Sequence, residues 1–98
     1  MIEYLYDGIR ALVGNDLVIS AVITDSDGKD ITSDVSLVLY DKDRETMLYS
    51  VAGIYDKGTK ETTFAIPKEI TEGKSGRYWY CIRYDGNALS FKEPIYLV

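Results

Sequence analysis

Gly76-Arg77-Tyr78-Trp79-Tyr80-Cys81-Ile82-Arg83-Tyr84 is the stretch whose reading decides the fold. Tyr78, Tyr80, Ile82 and Tyr84 alternate with Arg77, Trp79, Cys81 and Arg83, and a period of two puts the two sets on opposite faces of an extended strand. Aromatic side chains at this density suit a pleated, half-buried surface. With Tyr78, Tyr80 and Ile82 turned inward, Arg77, Trp79 and Arg83 form an outward row with tryptophan at its centre. An exposed tryptophan flanked by arginines is the composition of protein interfaces, of sugar-stacking platforms and of single-strand nucleic-acid grooves.

The same period recurs upstream. In residues 16–25 the odd positions Leu17, Ile19, Ala21 and Ile23 are apolar, while Val18, Ser20, Val22 and Thr24 are mixed. Residues 34–41 place Val35, Leu37 and Leu39 on one side; residues 46–54 and 59–66 follow, the latter with Phe64 and Ile66 in phase. Residues 88–98 close the chain with Leu89, Phe91, Ile95 and Leu97 in phase, and Pro94 predicts an edge or a bulge because it cannot donate to a ladder. A further strand is expected within residues 4–13. Turn signals separate the runs: Gly14-Asn15, Ser26-Asp27-Gly28-Lys29, Asp41-Lys42-Asp43, Asp56-Lys57-Gly58 and Asp85-Gly86-Asn87. Residues 67–72 alone read as a helical turn. Six or seven strands in under 100 residues, with no long helix, predict an all-β chain folded as a β-sandwich or a small barrel, with residues 1–98 as one domain. Val18, Val22, Val38 and Tyr40 are expected to extend the outward apolar surface around Trp79.

Length and composition agree with one domain and one core. The chain has 98 residues, 46% hydrophobic and 28% charged, and a chain of this size buries roughly 60% or more of its unfolded surface. Histidine is absent and Cys81 is the only cysteine. Those counts remove Cys/His zinc sites, disulfide scaffolds, Ser-His and Cys-His catalysis and CxxC redox chemistry. The serines have no histidine or Gly-x-Ser-x-Gly elbow beside them, and Glu69 and Glu72 belong to a polar surface crossing, not to a buried carboxylate pair. No enzyme, catalytic residue or cofactor is expected. Asp25, Asp27 and Asp30 cluster in one loop, but glycine is fourth there and Ser36 is twelfth, so the calcium-loop pattern fails and a solvated hairpin turn is the reading. A net charge of −5 argues against nucleic acid. No apolar run approaches the roughly 20 residues of a membrane span, and the start of the chain shows no secretory signal pattern, so synthesis in a reducing cytoplasm is expected.

Gly14-Asn15-Asp16, then Thr24-Asp25-Ser26-Asp27-Gly28-Lys29-Asp30-Ile31-Thr32-Ser33, then Ile66-Pro67 and Gly76-Arg77-Tyr78-Trp79-Tyr80-Cys81-Ile82 follow one another in a familiar order. The pattern resembles the N-terminal domain family of phage baseplate upper proteins, over residues 13–98. The usual glycine of the linking segment is missing from Ile31-Thr32-Ser33-Asp34. The resemblance implies an immunoglobulin-like β-sandwich of about seven antiparallel strands and a non-enzymatic structural or attachment role in a virion: baseplate, tail or head-fibre adaptor, or capsid decoration. It implies other virion structural proteins as partners, and a homo-oligomer is a further expectation because sheet edges and apolar outer faces both invite pairing. A surface adhesion or carbohydrate-binding module is the alternative.

Overall fold

The computed structural model describes residues 2–5, 8–88 and 92–98. Leu89 and Phe91, which the alternation places in phase with Ile95, lie outside the described residues. The described chain is all-β apart from one helical turn. Its strands are β1 (Ile2–Leu5), β2 (Gly8–Ala11), β3 (Leu17–Ala21), β4 (Val35–Tyr40), β5 (Met47–Ala52), β6 (Ile54–Asp56), β7 (Glu61–Ile66), β8 (Gly76–Tyr84), β9 (Asn87–Ala88) and β10 (Glu93–Leu97). The larger sheet has the order β1-β2-β10-β8-β4-β5, with β9 on the end of β8; the smaller is β3-β7-β6.

The inward sets of both sheets meet in one core. Leu17, Ile19, Phe64 and Ile66 come from the smaller sheet, and Leu37, Leu39, Tyr78, Ile95 and Leu97 from the larger. Each such side chain contributes on the order of 1.5–3 kcal/mol by leaving water. Tyr78 is buried among them, and Tyr80 and Ile82 pack against the cluster, so the phase expected for β8 holds.

Four connections carry the chain between sheets, β2 to β3, β3 to β4, β5 to β6 and β7 to β8, and the last two show how the crossing is made. Between β5 and β6 stands Gly53, where a Cβ would lie 2.8 Å from the Phe64 ring. Only a residue without a side chain lets the backbone cross there. Between β7 and β8 runs α1 (Lys68–Thr71), entered through Pro67; its first N–H, on Lys68, donates to the Asp16 carboxylate at 2.9 Å.

Two expectations are corrected. The strands are not all antiparallel, because β2 and β10 pair in parallel, Ile9 against Ile95 and Ala11 against Leu97. Nor does Pro94 mark a sheet edge. It sits in β10 between β2 and β8, opposite Trp79, one residue before the pairing with β2 begins. At that point β10 has a ladder on one side only, so the missing N–H costs no bond to β2.

Candidate interaction face

The outward set of β8 lies on the outside of the larger sheet, and the cross-strand register shows what stands beside it. Trp79 is opposed by Pro94 on β10 and by Tyr40 on β4, and Tyr40 in turn by Met47 on β5. One row of apolar residues therefore crosses four strands. On one side the next row is Arg77 with Tyr96 and Arg10; on the other it is Cys81 with Val38 and Ser50, followed by Arg83 with Ser36.

This face has a small core of its own. Val38, Tyr40 and Cys81 are buried there, and Trp79 packs half-buried against them. Long basic side chains cover the rings. The Arg44 guanidinium lies 4.2 Å from the centre of the Trp79 ring system and that of Arg77 lies 4.9 Å from it, while the Lys92 ammonium lies 4.1 Å from the Tyr40 ring centre. The negative face of an aromatic ring attracts such cations, and their methylene stems shield the apolar surface beneath. Arg83 donates to the Gly86 carbonyl and reaches the Tyr40 hydroxyl.

The turn between β4 and β5 delivers Arg44. Asp43 holds that turn, accepting from the Thr46 hydroxyl at 2.5 Å and from the backbone N–H groups of Thr46 and Glu45, both at 2.9 Å. These donors, the Thr46 hydroxyl foremost, lower the Asp43 carboxyl to about 2. Arg44 itself stands at φ 67°, in the left-handed region that favours glycine, and Lys92 donates to its carbonyl at 2.5 Å. On the buried side, the Cys81 thiol donates to Tyr40 Oη at 3.7 Å. Burial pushes the Tyr40 phenol above its ordinary range, its contact with Cys81 adds to that, and Arg83 opposes it.

The structure thus brings together Arg77, Trp79, Arg83 and Tyr40. It does not bring Val18 and Val22 to them. Val18 is on β3, in the smaller sheet, and Val22 follows that strand; they are 54% and 63% exposed on the opposite outer side of the molecule. Alternation gives the face of a strand but not the sheet to which it belongs. The apolar surface around Trp79 is also less open than the sequence suggests, since Val38 and Tyr40 are buried. Sequence reasoning missed Arg44, Lys92, Pro94 and Met47. Met47 stands at the start of its strand, where the register slips against Leu39 and Tyr40, and no local signal ties the turn residue Arg44 to a ring on β8.

Two aspartates of the 25–30 loop, Asp25 and Asp30, are engaged with the protein. Asp25 accepts from the backbone N–H of Asp27 at 2.8 Å and of Lys29 at 3.0 Å, and Asp30 accepts from the Tyr55 hydroxyl at 2.8 Å. Among the described residues, no group of three or more Asp, Glu, Cys or His side chains is placed to hold a metal ion.

Fold and face together define an all-β protein with an aromatic, basic outer surface on its larger sheet. No family model, curated protein or solved structure matches the chain.

Proposed function

We propose that this chain is a non-enzymatic, immunoglobulin-like sandwich that serves as a structural or attachment component of a phage particle, docking on protein partners through the outer face of its larger sheet. Strand order supports the fold reading. β10-β8-β4-β5 has the arrangement of the G-F-C-C′ sheet of a variable-type domain, and β3-β7-β6 that of B-E-D. The sequence departs from antibody domains in having a single cysteine and leucines, not tryptophan, in the interior of β4. The virion setting rests on the order of turn and strand signals described above.

One observation carries the docking role: the row Pro94–Trp79–Tyr40–Met47, with Met47 61% exposed at its end and guanidinium groups over its tryptophan. Tryptophan and arginine side by side on a rigid sheet are the residues that most often dominate protein interfaces. Sugar binding is less well supported, because a stacking platform needs an open ring face and Arg44 and Arg77 lie over this one. The test is pairwise binding to the structural proteins encoded by neighbouring genes. Wild type should bind at least one, and Trp79→Ala should lose that binding while keeping a folded sheet. Undiminished binding by Trp79→Ala would overturn the reading.

A further inference from the structure

Resting on that docking role, we propose that the partner presents a short acidic protein segment whose carboxylates are gripped by Arg44 and Arg77 over Trp79. The two guanidiniums approach one ring system at 4.2 and 4.9 Å. Two positive charges are thereby concentrated at one ring system. A carboxylate that reaches either guanidinium gains a charge-assisted hydrogen bond. The in-plane N–H fork of a guanidinium matches the two oxygens of a carboxylate.

The turn between β4 and β5 sets Arg44 in the left-handed region, at φ 67°. Lys92 adds a third positive charge beside it, bonded to the Arg44 carbonyl and seated over Tyr40. Arg44, Arg77, Arg83 and Lys92 gather on this face although the whole chain carries a net charge of −5. That balance selects a local acidic segment over a nucleic acid, since a long phosphate chain would run past the patch into a repelling field.

Trp79 is the only tryptophan, so its emission reports directly on the site. The experiment titrates the full chain with a short Asp/Glu-rich peptide, with its Asn/Gln counterpart and with a single-stranded oligonucleotide, at low and high salt. The acidic peptide should change Trp79 emission and bind about tenfold or more tighter than the amide peptide, with the advantage shrinking in salt. The Arg44→Gln/Arg77→Gln double variant should lose that advantage, with circular dichroism confirming that it stays folded. Equal response to the acidic and amide peptides, no response to the acidic peptide, or stronger binding of the oligonucleotide would each overturn the proposal. If Trp79→Ala loses a virion partner that the double variant keeps with unchanged salt dependence, the docking role stands and the acidic partner falls. If both variants keep the partner, both readings fall.

Discussion

Tyr40 and Trp79 are directly opposed on β4 and β8 on the outside of the larger sheet, while their neighbours Leu39 and Tyr80 are opposed on the inside. Two adjacent pairs of residues thus serve different clusters: the inner pair belongs to the core between the sheets, and the outer pair to the small cluster beneath Arg44 and Lys92. Damage to one face need not spread to the other.

The stability effects of substitution should divide along that line. Phe64→Ala, at the centre of the shared core, should lose about 3–5 kcal/mol, whereas Trp79→Ala, half-buried outside it, should lose about 1–2 kcal/mol. Urea unfolding followed by circular dichroism measures both. A loss for Trp79→Ala as large as that for Phe64→Ala would mean that the outer cluster is part of the structural core.

Arg44 should show a separation of stability from binding. Glycine at φ 67° relieves backbone strain but removes the contact with Trp79, and these terms, each about 1 kcal/mol, largely offset. Arg44→Gly should therefore unfold within about 1 kcal/mol of wild type and yet bind the acidic peptide more weakly. Strong destabilisation with intact binding would contradict this account of the turn.

The Asp43 turn has an acid limit. The folded-state carboxyl is lowered from an ordinary 3.8 to about 2 by the Thr46 hydroxyl and by backbone donors. Its bonds therefore contribute fully above the unfolded value and are lost as pH falls through the folded one. A side-chain NMR titration should place the Asp43 midpoint near the lower value, and Thr46→Val should move it upward. Trp79 emission should change over the same acid range as Arg44 is released. An ordinary Asp43 midpoint in wild type would remove the turn from the argument.

Cys81 offers a local probe of the outer cluster. It is 1% exposed beneath the rings of its own face. A thiol reagent should label the native chain far more slowly than the unfolded chain, and Trp79→Ala should accelerate labelling by more than its loss of global stability accounts for. Rapid labelling of the native wild type would show that the cluster opens freely.

How much of this was legible follows from the range of each signal. β8 was readable with its bounds and its phase, because alternation is local and Tyr78, Tyr80 and Ile82 all turn to the core. The turn at Lys68–Thr71 was readable because Pro67 and the flanking polar residues interrupt the period of two. The placement of Val18 and Val22 was not, since strand pairing across the chain decides it. The parallel pairing of β2 with β10 joins the two ends of the chain, and nothing near Ile9 or Ile95 announces it. The basic cover of the site escaped for the same reason, as Arg44 reaches Trp79 from the β4–β5 turn and Lys92 reaches Tyr40 from just before β10, each across strands far apart in sequence.

The most direct measurement is hydrogen exchange of the full chain with and without the structural protein that binds it. The docking account predicts new protection on the outer row of the larger sheet, at Tyr40, Met47, Trp79 and the Arg44 turn, with the exposed side of β3 around Val18 unchanged. Protection confined to the smaller sheet, with the Trp79 row unaltered in the complex, would contradict it.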